Sequence, residues 1–356
     1  MYKKVDTKAV SKQLIDWSDP VKHADDIARL KLAAKYTPEG QKAWADIVLD
    51  MAQPIRSGLL DEDTIGDIFQ VEPIDNLTTI EFPIDFYQVT DRDKIWAYAI
   101  PDTGYLPQRY MSAGSVQVST YRIGNSMDFY IRYLEQARWA VLNRGLEVFR
   151  NGFVKKFNSD GWSTLMAAAF YRNIVVNDRL ARPNQITPRL LSLMQVFMKR
   201  NGGGNMTSGG FRLTDLYISP EAAASMRSWD LSLVPESVRT AMFAKGEGTP
   251  IGNLFGIDIN EHEDLGIGQP LQQLLTLPTS QGGFGLTLPP STREVCIGMD
   301  RTNTGTYAKM PIVNPGIEVF PDNSSHTHRQ QTIGFYGWCN IGFACLDNGW
   351  LLLGAF

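Results

Sequence analysis

Between Asp128 and Phe157 the apolar residues repeat with helical spacing on two faces at once. Tyr130, Leu134, Ala137, Val141 and Val148 share one stripe. Trp139, Leu142, Leu146, Phe149, Phe153 and Phe157 share another, roughly a third of a turn away at ~100° per residue. A helix over this whole run would extend roughly 45 Å at ~1.5 Å per residue. Two apolar stripes require packing from two sides, so the helix is expected to be the spine of a larger body. Gly145 and Gly152 each cost about 1 kcal/mol against alanine in a helix. Their place near the first stripe points to a close backbone approach.

The segments around this spine differ in texture. Residues 1–70 read as helical, with 10 Lys/Arg against 12 Asp/Glu. Asp19-Pro20 and Thr37-Pro38 supply helix starts, and Ile27, Leu30 and Ala34, then Trp44, Ile47, Val48 and Met51, form apolar stripes. Such stripes cannot be buried by this segment alone, so it is expected to dock elsewhere. Thr79–Val89 and Lys94–Ile100 alternate as strands, with Thr90-Asp91-Arg92-Asp93 as turn chemistry between them. A lone hairpin is marginal in water, so this arm needs a second surface, its own or a neighbour's. Ser115–Ile123 reads as a strand broken by Gly124-Asn125-Ser126. Ser163–Ala169 reads as a separate short helix, and Thr187-Pro188 and Ser219-Pro220 open two more. The chain closes with strands at Glu294–Met299, Thr332–Tyr336, Asn340–Leu346 and Trp350–Leu353, with Asp347-Asn348-Gly349 as a hairpin turn.

Composition narrows the function. The chain of 356 residues is 43% hydrophobic and 20% charged, enough apolar area for folded domains. Its formal net charge of −4 argues against a nucleic-acid clamp, which needs a surplus of Lys and Arg. No apolar run approaches the ~18 residues that span a bilayer, and the charged start MYKKVDTKAV lacks the apolar core of a secretory signal. Cys296, Cys339 and Cys345 form no CxxC pair and read as reduced, mostly buried thiols.

The sequence carries no phosphate-binding GxxxxGK[ST], no strand–GxGxxG–helix unit, no GxSxG and no HExxH. Gly202-Gly203-Gly204 reads as a loop. His326-Thr327-His328, if extended, puts two rings on one face, the basis of an alternative reading as a metal-assisted hydrolase. His262, within Glu261-His262-Glu263-Asp264, reads as part of a solvated acidic face. Between Arg172 and Arg200 lie six Lys/Arg and one acid, a run read as inter-subunit ion pairing or a solvated face. Residues 246–264 hold five acids and no Lys or Arg.

The order of elements resembles the major capsid proteins of tailed double-stranded DNA bacteriophages, the Hong Kong 97-like α+β fold. Ser119–Ile123 leading into Asp128–Phe157 is similar to that family's strand and spine helix. Asp215–Ala222 is similar to its strand–Pro–helix element, and Gln331–Trp338 through Ile341–Gly349 to its closing strands. The resemblance implies an N-terminal arm over residues 1–77 that lies over a neighbour, and an extended loop with its lead-in strand over 78–122. It implies a peripheral domain over 123–172 and 325–356, and an axial domain over 173–324. It implies self-assembly into hexamers and pentamers of an icosahedral virion shell, put together in the host cytoplasm around double-stranded DNA that is not bound by sequence. Scaffold, portal and decoration proteins are the further partners; no membrane, cofactor, metal or catalytic residue is implied. Assembly-interface candidates are Trp44, Asp91, Arg92, Asp93, Lys94, Trp96, Tyr98, Arg172, Arg179 and Arg182. An encapsulin-type compartment shell shares the fold and is the other shell reading.

Overall fold

The computed structural model describes residues 24–58, 64–75, 80–85, 113–136, 138–179, 185–201, 211–229, 252–290, 292–313 and 317–356. In chain order the helices are α1 (Ala24–Ala33), α2 (Pro38–Gly58), α3 (Thr64–Ile68), α4 (Ile131–Glu135), α5 (Trp139–Tyr171), α6 (Pro188–Asn201), α7 (Pro220–Arg227), α8 (Pro270–Thr276), α9 (Thr304–Tyr307) and α10 (Ser325–Arg329). The strands are β1 (Gln70–Ile74), β2 (Ile80–Asp85), β3 (Ala113–Val118), β4 (Tyr121–Tyr130), β5 (Val175–Asn177), β6 (Asp215–Ile218) and β7 (Gly252–Leu254). They continue with β8 (Ile257–Glu261), β9 (Val295–Met299), β10 (Ala308–Val313), β11 (Glu318–Asp322), β12 (Thr332–Ile341), β13 (Ala344–Cys345) and β14 (Leu351–Ala355). The chain divides into two compact units. The first comprises Met1–Ile80, Val118–Asp160 and Met310–Phe343; the second comprises Glu81–Gln117, Gly161–Lys309 and Ala344–Phe356.

The first unit is built on the antiparallel pairing of β4 with β12, in register from Thr332 opposite Tyr130 to Ile341 opposite Tyr121. β11 flanks the other side of β12, with Glu318 opposite Trp338. Phe129, Phe335, Cys339 and Ile341 point to the buried face of this sheet, where Phe149, Phe153 and Phe157 of α5 meet them. The phenyl rings of Phe149 and Phe335 lie 4.9 Å apart, edge to face. The two glycines of α5 explain how closely the helix sits. A Cβ on Gly145 would collide with the Phe129 ring, and one on Gly152 would stand 2.6 Å from Asn125 Nδ2. That amide donates to Phe149 O at 3.1 Å, stitching helix to strand.

Three expectations change here. Gly124-Asn125-Ser126 does not break the strand: β4 runs through it, because each residue finds its partner on β12. The helix therefore begins at Trp139, not Asp128, and it continues through Gly161 to Tyr171, absorbing the short helix expected at Ser163–Ala169. Trp162, Leu165, Met166 and Ala169 are buried there, and their packing outweighs the glycine cost. Finally, the buried seam of α5 is formed by Leu142, Phe149, Phe153 and Phe157 of the second stripe, while the first is divided among elements, with the buried Leu134 on α4. Tyr130 belongs to β4 and Val148 is half exposed.

The α1–α2 pair is also part of the first unit. Leu30, Ala33, Trp44, Ile47 and Val48 are buried, and Trp44 Nε1 donates to Gly334 O at 2.8 Å. Thr37 Oγ1 caps α2 by accepting from Gly40 N at 3.1 Å. Between Leu30 and Val48 this segment thus buries its apolar residues within the same chain, where Trp44 reaches β12.

The second unit centres on a sheet ordered β5-β14-β9-β6-β8-β7. Its middle strands β6, β9 and β14 are buried throughout; β9 and β14 are apolar along their length, and β6 carries the buried Asp215, which accepts from Thr214 Oγ1 at 2.7 Å. α6 lays Leu190, Leu191, Met194 and Met198 on this core. Thr187 Oγ1 accepts from Leu190 N at 3.1 Å, and Ser219 Oγ caps α7 through Ala222 N at 3.1 Å. Asp347-Asn348-Gly349 is a turn, with Gly349 N donating to Asp347 Oδ1 at 2.8 Å, but it is not a hairpin. β13 before it pairs with β10, whereas β14 after it pairs with β5 and β9. β2 and β3 form a separate two-stranded ribbon.

Truncating Trp44 to alanine is expected to cost about 3–5 kcal/mol of stability, from lost burial and a cavity. Trp44→Phe is expected to cost about 1 kcal/mol through the lost hydrogen bond. Denaturant midpoints of the dissociated chain measure both.

Candidate functional site

Of the assembly-interface candidates, the described residues include Trp44, Arg172 and Arg179. Trp44 is a core residue. Asp91, Arg92, Asp93, Lys94, Trp96, Tyr98 and Arg182 lie outside the described residues. Arg172 turns inward: its guanidinium donates to Leu351 O and lies 3.6 Å from Met198 Sδ. Burial lowers its pKa to about 10, against the opposing pull of Asp347. It therefore ties α5 to β14 within one unit instead of offering a charge to another chain. Arg179 is exposed, and its neighbour Asp178 is already engaged by Thr187 Oγ1 at 2.8 Å and Arg189 at 3.8 Å.

The histidines do not converge. His326 and His328 sit on the helix α10 instead of an extended strand, which turns their rings to different sides. His328 packs on Tyr36 with ring centroids 4.7 Å apart, and His326 Nε2 meets Gln330 Nε2 at 3.2 Å. Among the described residues no group of three His, Cys, Asp or Glu side chains is placed to hold a metal ion. The hydrolase reading loses its motivating geometry. His262 is not a solvated residue either. Its ring stacks edge-on to Trp162 at 4.5 Å, and burial lowers its pKa despite Asp264 and Glu263 nearby.

The structure brings together an aromatic strip that sequence reading passed over. Phe320, Tyr336 and Trp338 stand side by side on the face of β11 and β12 opposite α5, all half-buried. Arg122 lies over the Trp338 ring at 5.2 Å, and its Nε donates to Asn340 Oδ1 at 3.2 Å. Trp338 Nε1 donates to Glu318 Oε2 at 2.7 Å. The alternation of Tyr336, Trp338 and Asn340 against Phe335, Cys339 and Ile341 was the available signal. Gly334 and Gly337 obscured it.

An open groove of about 470 Å³ runs between β4 and α5, lined by Tyr121, Arg122, Asn125, Gly152, Phe153 and Lys156 among others. At its edge Asp160 accepts from Tyr121 Oη at 2.6 Å and pairs with Lys156 at 2.8 Å. Burial and the Asp160 carboxylate push the Tyr121 phenol well above its ordinary value, so it stays protonated. Both the acid and the base of this trio are occupied by one another. The three thiols are likewise deactivated: Cys296, Cys339 and Cys345 are pushed up to about 12, in each case chiefly by burial. None of the three thiols is thus an activated nucleophile.

No protein-family model matches the sequence, and no curated protein is similar to it in sequence. Solved structures are similar in fold. A chain in the capsid structure of the cyanophage P-SCSP1u superposes with a TM-score of 0.52 at 9% identity, covering 82% of this chain and 88% of that one. A chain from Microbacterium phage Oxtober96 gives a TM-score of 0.50 at 7% identity, covering 83% and 90%. The shared fold is the Hong Kong 97-like α+β fold that the order of elements suggested.

Two expected outcomes follow from the buried groups. Thiol titration of the native chain should be slow, with all three cysteines reacting once denaturant is added. His262 should make stability fall with acid. Its folded pKa is depressed, so its contribution is complete above the ordinary value of about 6.5 and is lost as pH falls from there toward the folded value. Unfolding curves across pH 5 to 8 should flatten in a His262→Gln variant relative to the parent.

Proposed function

We propose that this chain is the major capsid protein of a tailed double-stranded DNA phage, assembling into the hexamers and pentamers of an icosahedral shell. The single observation that carries this reading is the fold likeness over four-fifths of the chain to a protein of the cyanophage P-SCSP1u capsid. At this identity the likeness establishes fold, and function is the inference drawn from it. The role is structural, not catalytic. In this reading residues 123–172 and 325–356 belong to the peripheral domain and residues 173–324 to the axial domain; the compact units differ from these bounds in placing 161–172 and 344–356 with the second unit. Residues 78–122 would supply the extended loop and its lead-in strand. Asp91, Arg92, Asp93, Lys94, Trp96 and Tyr98 would meet an adjacent copy through it.

The charge balance supports enclosure over binding. A chain with a net charge of −4 gives the genome no dense basic lining to which it would adhere. Packaged DNA would be enclosed without sequence recognition. Assembly in the host cytoplasm, with scaffold, portal and decoration proteins as partners, belongs to the same proposal.

Electron microscopy of the expressed chain tests it. The expected result is closed particles of uniform diameter with icosahedral order, alone or on adding a scaffold protein. A chain that sediments as a monomer at high concentration, with no particles in either condition, would overturn the reading.

A further inference from the structure

Strand β8 of the second unit separates two exposed ends of opposite charge. At one end is the β7–β8 turn, Leu254-Phe255-Gly256-Ile257. Both central residues have positive φ, 54° at Phe255 and 80° at Gly256. That turn geometry favours Asn or Asp before Gly, because a bulky side chain is strained in the left-handed region. Phenylalanine occupies it nonetheless, 47% exposed. Its carbonyl accepts from Gln195 Nε2 at 3.0 Å, which fixes the turn beside the last turns of α6. There Val196 and Phe197 are exposed at 43% and 39%, and Lys199 and Arg200 are exposed beside them. The result is an apolar patch flanked by Lys199 and Arg200 on α6, with the exposed Asp258 on the hairpin itself accepting from Asn253 Nδ2 at 3.0 Å.

The other end lies beyond Glu261, roughly 17 Å away at ~3.3 Å for each of the strand's five residues. Glu263 and Asp264 are exposed there, and Ile267 is 55% exposed. Glu261 is paired with Arg227, so the acidic excess beside Ile267 is that of Glu263 and Asp264. Each end repels its own kind, so a two-fold contact pairing like with like is disfavoured. Opposite ends complement one another, which is the arrangement of a head-to-tail contact that closes into rings.

We propose that the occupant of the Phe255 patch is the Glu263–Ile267 end of a second copy of this chain, in a head-to-tail contact. The inference deepens the shell reading above and rests on it. It also explains why a strained, exposed phenylalanine stands where asparagine would fit better: the ring is held outward for a partner.

Charge reversal with sedimentation velocity of the purified full chain tests the contact. Lys199→Glu with Arg200→Glu should lower the association constant at least about tenfold, as should Glu263→Lys with Asp264→Lys. Combining all four changes should restore association, and so should mixing the two double variants. Phe255→Asn should weaken association while leaving the thermal midpoint equal or higher, which a purely structural role would not produce. Circular dichroism confirms that each variant is folded. If either double variant associates like the parent, or the fourfold variant is no better than the doubles, this contact is wrong while the shell reading stands. If the parent itself stays monomeric at every concentration, with and without a scaffold protein, both fall together.

Discussion

The first unit depends on how closely α5 approaches the β4–β12 ladder. Phe149, Phe153 and Phe157 each contribute about 1.5–3 kcal/mol by leaving water, but only if the helix can come near enough to bury them. Gly145 and Gly152 permit that approach, since a side chain at either position would strike Phe129 or Asn125. The ladder in turn presents Phe335 at the right height because β4 and β12 stay in register over their whole length. A slip of one residue would turn Phe335, Cys339 and Ile341 outward and bring Tyr336 and Trp338 in. Helix seam, glycine notches and strand register therefore specify one another.

The same alternation that buries one face decides what the other presents. The even-numbered residues of β12 carry Tyr336 and Trp338 to the surface, with Arg122 and Glu318 holding the indole ring between charge and hydrogen bond. Such half-buried aromatics are typical of interaction surfaces. Elsewhere, ionisable groups that could do chemistry are committed to structure: Arg172 to a backbone carbonyl, Asp160 to Tyr121 and Lys156, Glu294 to Ser219 Oγ at 2.6 Å. Burial pushes the Glu294 carboxyl up, offset by that serine.

Local signals were legible in the sequence and distant pairings were not. Thr37-Pro38, Thr187-Pro188 and Ser219-Pro220 announced helix starts because a capping hydroxyl and a fixed proline φ act within a few residues. The buried stripe of Phe149, Phe153 and Phe157 was readable from its spacing alone. The continuity of β4 through Gly124-Asn125-Ser126 was not, since it is enforced by β12 some 200 residues downstream. The same holds for the Asp347-Asn348-Gly349 turn. Its chemistry is that of a hairpin, yet the strands on either side pair elsewhere. Trp44 shows the same limit: its apolar stripe was readable from spacing, whereas its partner, Gly334 of the same chain, was not.

Hydrogen exchange on dissociated and assembled chain asks directly whether the β4–β12 ladder and the α5 seam form within a single chain before it meets another copy. The account predicts that β4, β12 and residues 139–160 exchange equally slowly in both states, whereas backbone amides around Phe255 and Glu263 slow only on assembly. Rapid exchange along the β4–β12 ladder in the dissociated chain would contradict it.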